Sequence, residues 1–174
     1  MARRIARSSR RLAAGVATAL ALPWVAASDV AVRPEPSGAF VIEDATGAVQ
    51  RLRVEESTGA VYRDGLLFLH STGMRNAFLG EEAGDLAVQG NSNAAFGYNA
   101  LTSLTLGGFN TAVGAHALQS NASGNQNSAF GILSLASNTA SENSAFGAFS
   151  LTSNNTATGN AALAWNALAL NATG

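Results

Sequence analysis

The stretch Asn-Thr-Ala-Val-Gly-Ala-His-Ala-Leu-Gln-Ser-Asn-Ala-Ser-Gly at 110–124 decides the fold, because close variants of it precede and follow it along the chain. Its first asparagine, which we call the anchor, recurs at spacings of 17, 17, 17, 16 and 17 residues. The anchors are Asn76, Asn93, Asn110, Asn127, Asn143 and Asn160. Glycine recurs four positions after them at Gly80, Gly97, Gly114, Gly131 and Gly147, and leucine eight positions after them at Leu101, Leu118, Leu135, Leu151 and Leu168. We therefore predict a tandem-repeat domain over residues 76–174.

The repeat predicts an all-β protein, a parallel β-solenoid of about six coils, each 17 residues long. Successive coils stack about 4.8 Å apart, so each position meets its own equivalent above and below. Stacked asparagines then hydrogen-bond along the stack, and glycine permits the positive φ of a tight corner. We expect two short strands in each coil, with the bulky residue three after the anchor and the leucine eight after it filling a narrow interior. An array of helical hairpins is the alternative, although glycine after almost every anchor disfavours helices.

A second apolar position lies beside the first in the strand that follows each anchor. Two after the anchor the residues are Phe78, Ala95, Ala112, Ala129, Ala145 and Ala162, and neighbouring residues of a strand point to opposite faces. Because a thin coil buries one face internally, we expect the alanine face to meet another chain, so that the protein is a homo-oligomer. Alanines that simply face water are the alternative.

The region before the repeat, residues 29–75, is predicted to be a β-rich connecting region, either a short antiparallel meander or a wide stalk-like β element. Three runs, 39–43, 48–54 and 60–70, are separated by turns that contain glycine, at 44–47 and 57–59. Asp64-Gly65 predicts a tight turn inside the third run. Pro34 and Pro36 predict an extended, irregular start. The arginines and acids of this region are expected to form a solvated face with cross-strand pairs rather than a catalytic site.

Residues 1–28 are predicted to be a cleavable signal peptide. Five arginines precede an apolar stretch from Leu12 to Leu22, which is too short to cross a bilayer. Small residues lead up to a cleavage point after Ala27 or Ser28. We expect export to the extracellular space or a bacterial cell surface, with no membrane span in the mature chain. A membrane-anchoring helix is the alternative.

Charge and residue usage narrow the possible functions. All ten basic residues are arginines at or before Arg75, and beyond Val88 the only formally charged side chain is Glu142. This neutral surface excludes nucleic acid as a partner, since such binding needs Lys and Arg to neutralise phosphates. The chain lacks cysteine, and its two histidines, His70 and His116, are too few for a histidine-rich metal site. We therefore expect no cofactor, no metal and no enzymatic activity.

The motif at 110–124 and its variants from Asn127, Asn143 and Asn160 resemble the YadA-like head repeats of trimeric autotransporter adhesins. Related repeats also occur in tail-fibre-like proteins. The resemblance covers residues 76–174 and implies a left-handed β-roll that assembles as a trimer on a bacterial surface. It further implies a structural and adhesive role, with a host matrix protein or other surface ligand as partner. The 17-residue period is longer than that of the best-known heads, and we expect no heptad stalk or anchor strands within these 174 residues.

Four other functions compete with that of an adhesive fibre. A phage-like or secreted tail-fibre component is the runner-up. A calcium-binding solenoid needs Asp in every turn, but no Asp follows Asp85. An ice-binding solenoid needs a regular Thr rank, which the position after the anchor does not supply, and no motif supports a hydrolase. The sequons at Asn121, Asn154 and Asn171 are explained equally well by an Asn- and Thr-rich repeat. The final coil has no polar cap. We therefore expect either that another chain completes the solenoid or that the gene product is truncated.

Overall fold

The computed structural model describes residues 31–34, 39–43 and 50–173, and its strands form one eleven-stranded sheet in sequence order. The predicted parallel β-solenoid is confirmed. No helix occurs in this part of the chain, so the helical-hairpin alternative is wrong. The predicted signal peptide at 1–28 and the turn at 44–47 lie outside the described residues.

An antiparallel meander of five strands comes first. These are β1 (Ala31–Pro34), β2 (Phe40–Glu43), β3 (Gln50–Val54), β4 (Val61–Arg63) and β5 (Leu66–His70). The turn between β4 and β5 has positive φ at both Asp64 and Gly65, 51° and 83°, as the tight-turn prediction requires. Arg53 and Glu55 form an ion pair with their nearest N and O atoms 2.9 Å apart. The pair lies along β3 and the residue after it, so it is not one of the expected cross-strand pairs. Strand β1 was not predicted, because Pro34 indicated an irregular segment. It is the edge strand of the sheet, where proline is tolerated.

Six parallel strands follow, one in each coil, and each begins directly after its anchor. They are β6 (Ala77–Leu79), β7 (Ala94–Phe96), β8 (Thr111–Val113), β9 (Ser128–Phe130), β10 (Ser144–Phe146) and β11 (Ala161–Leu163). Equivalent residues pair in register, for example Ala112 with Ala129. The prediction of two strands in each coil is wrong, because the described remainder of the coil is built of turns.

Left-handed backbone conformations make those turns possible. Non-glycine residues take φ between 47° and 65° at three places in the coil: just before the anchor, six after it and eight after it. In the third coil the last two are His116 and Leu118, with φ of 59° and 52°. Their N–H groups bond in opposite directions, His116 to the carbonyl of Tyr98 in the preceding coil and Leu118 to that of Ser134 in the following one. The turns are therefore part of the stack and are bonded to both neighbouring coils.

The interior is filled by the small residue of each strand. The alanines two after the anchor, such as Ala112, are buried together with the leucines eight after it, such as Leu118. The bulky residues three after the anchor, such as Val113, are exposed. Both predictions about these positions are therefore reversed: the alanine face is the interior and the bulky face is the outside. The leucine reaching in from the opposite side of the coil leaves room for little more than a methyl group.

In the first coil the large and the small interior residue exchange positions. It carries Phe78 where later coils have alanine and Gly84 where later coils have leucine. A Cβ built on Gly84 would lie 2.7 Å from Cγ and Cδ1 of Phe78, so the phenyl ring occupies the space that leucine fills elsewhere. Phe78 is fully buried.

The meander covers the N-terminal end of the solenoid. Strand β5 pairs antiparallel with β6, aligning Leu69 with Leu79 and His70 with Phe78. The imidazole of His70 packs on the Phe78 ring with centroids 4.7 Å apart. The first coil therefore does not present a free strand edge on that side.

Candidate functional site: the stacked ladders and the outer face

The anchor asparagines form a continuous hydrogen-bonded ladder inside the solenoid. Oδ1 of Asn93 accepts from both the backbone N–H and the Nδ2 group of Asn110, at 3.0 and 3.1 Å. Nδ2 of Asn110 also donates to the carbonyl of Gly124 in its own coil, at 2.8 Å. The first five anchors are buried and Asn160 is partly buried. Because the amide is used as donor and acceptor at once, the anchors have a structural role and are not free to bind a ligand.

A second ladder runs eleven positions after the anchors. Nδ2 of Asn154 donates to Oδ1 of Asn138 at 2.9 Å, and Nδ2 of Asn171 donates to Oδ1 of Asn154 at 3.3 Å. Asn121 instead closes its own turn, accepting from the N–H of Gly124 at 3.0 Å. Asn121 and Asn154 are fully buried, so the folded chain does not offer these two sequons for glycosylation.

The single 16-residue coil is one residue shorter than the others, and the missing position lies between the two asparagine ladders. The interval from Asn138 to Asn143 is one residue shorter than that from Asn121 to Asn127. The strands on either side stay in register, and Nδ2 of Asn143 bonds to Oδ1 of Asn138 at 3.1 Å instead of to the previous anchor. The deletion is therefore absorbed in one corner and does not shift the stack.

The predicted corner glycines stand where the backbone requires them. Their φ angles lie between 133° and 137° at Gly80, Gly97, Gly114, Gly131 and Gly147. A Cβ on Gly114 would come within 2.6 Å of the backbone of Gly131 in the next coil. Both the conformation and the close approach of the chains exclude a side chain here.

Four of the five predicted leucines, from Leu101 to Leu151, are fully buried. Leu168, in the last coil, is 52% exposed because no described coil follows it. The left-handed backbone of these leucines was not predicted, since leucine rarely adopts it. Gly84 at the equivalent place in the first coil is the one sequence signal that indicated a positive φ there.

The outer ladder is an exposed apolar row that runs along all six coils of the repeat. We give this name to the exposed residues three after each anchor, Leu79, Phe96, Val113, Phe130, Phe146 and Leu163, which are 36% to 80% exposed. Phe130 and Phe146 stack with centroids 4.8 Å apart and planes 6° from parallel. Tyr98, Ile132 and Trp165 are exposed two residues further along their coils. A contiguous apolar face of this kind is typical of a surface that binds another molecule.

His70 is the one described group whose pKa is clearly displaced. Burial lowers the pKa of its imidazole, while the bond from Nε2 to the Ala83 carbonyl, 2.8 Å, and the charge of Asp85 partly oppose the shift. A carbonyl only accepts, so Nε2 carries the proton. Nδ1 lies 2.9 Å from Oγ1 of Thr72. These contacts fix His70 as part of the cap over the first coil.

Other candidate chemistry does not converge on one place. Among residues 31–34, 39–43 and 50–173 no group of three His, Cys, Asp or Glu side chains could hold a metal ion. Across the same ranges we find no apolar helix of membrane-spanning length. His116 lies in a corner, with Nδ1 2.7 Å from Oε1 of Gln119 and its ring edge-on to Tyr98.

Comparison with known proteins gives no match among family models, curated proteins or solved structures. The likeness to YadA-like head repeats therefore rests on the repeat motif itself.

Proposed function

We propose that this chain is an exported structural and adhesive fibre element. It works as a homo-oligomer and attaches the cell that produces it to a host matrix or another surface. The outer ladder carries this proposal. It places an apolar strip along all six coils of a solenoid whose repeat region from Val88 onward contains one formal charge. Association of such strips removes apolar area from water without burying charge.

The proposal assigns the interchain contact to the outer ladder instead of to the alanines. Three copies related by a threefold axis would bring three such strips together, which is the trimer that the likeness to adhesin heads implies. The stacked rings of Phe130 and Phe146 would lie in the fourth and fifth of the six coils of the strip. Large aromatic residues that become buried contribute much of the binding free energy of an interface.

Sedimentation velocity of the full chain, in the form that the cell makes, tests the oligomer. We expect a trimer that dissociates when Phe130 and Phe146 are both replaced by threonine, which keeps the β propensity and removes the apolar rings. Phe149→Asn is the matched control, because Phe149 is an exposed phenylalanine at a corner of the same coil as Phe146. A wild-type monomer at every concentration would refute the proposed assembly.

Attachment and export are tested separately. We expect intact producing cells to bind immobilised matrix proteins, and to lose this binding when the chain is deleted or stripped from the surface by protease. Retention of the chain inside the cell would refute the exported fibre even if the purified protein is a trimer.

A further inference from the structure

A second exposed feature lies at the corner that precedes the anchors, away from the outer ladder. The residue just before each anchor is in the left-handed region, and we call this series the corner column: Arg75, Ser92, Phe109, Gln126, Glu142 and Gly159. The N–H groups of Phe109, Gln126 and Glu142 each donate to a carbonyl of the preceding coil at 3.0, 3.0 and 2.9 Å. Their side chains are therefore held on neighbouring coils at a spacing of about 4.8 Å.

The 16-residue coil creates a notch in this column. The corner between Asn138 and Asn143 has four residues where the corner between Asn121 and Asn127 has five. The depression beside it is lined by Phe109, Asn125, Gln126, Ser141 and Glu142. Phe109 is 62% exposed, so its ring forms an open wall of the notch.

The polar groups of the notch divide into fixed and free ones. Oγ of Ser141 accepts from the N–H of Asn125 at 2.9 Å, and Oδ1 of Asn125 accepts from the N–H of Gly108 at 2.8 Å. These bonds hold the base of the notch. The side chains of Gln126 and Glu142 are exposed and bond to no other residue of the described chain. Their amide and carboxylate groups are available to a ligand.

We propose that the notch binds a neutral saccharide, an inference that rests on the attachment role proposed above and names its ligand class. A sugar ring offers an apolar C–H face, which suits the open Phe109 ring, and hydroxyl groups, which suit Gln126 and Glu142. An anionic sugar is disfavoured because no arginine or lysine follows Arg75, two coils before Phe109. Glu142 is the one carboxylate of the notch, whereas glycoside hydrolysis ordinarily needs a pair, so the sugar is bound and not cleaved.

Titration by saturation-transfer NMR tests the proposal on the full chain. The probes are maltotriose, cellotriose, lactose and N,N′-diacetylchitobiose. We expect at least one of them to bind, and Phe109→Ala to weaken that binding about tenfold, a factor within the range for loss of an aromatic contact. Phe149→Ala is the matched control, since Phe149 is also an exposed phenylalanine, with φ of 61° against 60° at Phe109. Gln126→Ala should weaken binding as well.

Each other outcome overturns the saccharide site. Absence of binding by all four sugars overturns it, as does an equal loss in the Phe109→Ala and Phe149→Ala variants. Binding of a triarginine peptide that Glu142→Gln abolishes, in the absence of sugar binding, would assign the notch to cationic peptides instead. Sedimentation of the same samples separates the two proposals. A trimer without sugar binding leaves the fibre proposal standing, and a monomer that binds sugar leaves the notch standing.

Discussion

The exchange of sizes between Phe78 and Gly84 makes a quantitative prediction about the core. Phe78→Ala removes a fully buried ring and should lower the free energy of unfolding by about 3–5 kcal/mol. Gly84→Leu puts a side chain where the ring already lies, 2.7 Å from the nearest ring atoms, and should cost about 1–3 kcal/mol for overpacking. Gly84→Leu should cost about 1 kcal/mol more because it places a non-glycine residue at φ of 67°.

The double variant should be more stable than the sum of the single variants. It recreates the alanine and leucine that later coils carry at these positions, so leucine fills the cavity and the overpacking disappears. What remains is the left-handed strain and the lost contact between His70 and Phe78, about 2 kcal/mol together. The single variants together cost about 5–9 kcal/mol, so we expect a favourable coupling energy of at least about 3 kcal/mol, which is the upper end of the range for residues in contact.

Urea denaturation of all four proteins, followed by far-ultraviolet circular dichroism, measures this cycle, and hydrogen exchange of the β6 amides locates the change in the first coil. Combining Phe78→Ala with Leu151→Ala, four coils away, is the control and should be additive. If the double variant at Phe78 and Gly84 also shows simple additivity, the packing account of the first coil is wrong.

Three further predictions concern single positions. Burial holds the folded-state pKa of His70 below its ordinary value of 6.5, so the free energy of unfolding should fall as pH drops through 6.5 toward that lower pKa. His70→Gln should flatten this slope in pH-dependent urea melts, and an unchanged slope would contradict the assignment. Oγ of Ser134 is buried without a hydrogen-bond partner among the described residues, so Ser134→Ala should raise the free energy of unfolding by about 1 kcal/mol. Ser150→Ala loses a 2.7 Å hydrogen bond and should lower the free energy of unfolding by a similar amount. Thermal melts that show the same sign for both variants would contradict the assignment. Gly114→Ala should lower the free energy of unfolding by more than about 3 kcal/mol, because its Cβ would meet the backbone of the next coil. Gly59→Ala, at φ of 68° with open space around it, should lower it by about 1 kcal/mol. Equal losses in urea denaturation would show that the close approach at Gly114 is unimportant.

The positions that were predicted correctly are those with one chemical reason to be constant. Asparagine at the anchor and glycine four positions later each have a role that other residue types perform poorly, so repetition of the residue identifies the role. The tight turn between β4 and β5 was predictable in the same way, because Asp64-Gly65 specifies such a turn between apolar runs.

The prediction of which strand face is buried was wrong. Alternation along a strand does not show which face points inward when the residues on both faces are apolar. Residues such as Ala112 and Val113 both read as hydrophobic, and the larger was assigned to the interior. The distinguishing signal is variation in size. The position two after the anchor is alanine in five coils of six, whereas the next position varies among Leu, Phe and Val. A packed interior tolerates little change in volume, while an exposed position tolerates much.

The same reasoning indicates where function resides in this fold. The interior positions are set by the stack, since a change in one coil must be matched within that coil, as Phe78 and Gly84 show. The outward positions are under no such constraint, and the backbone bonds that hold Gln126 and Glu142 in place do not depend on their side chains. A solenoid of this kind can therefore change its binding surface, or lose a corner residue, without disturbing the ladders. We assign binding to the outer ladder and the corner column, so we expect changes on these two surfaces to alter what the protein binds.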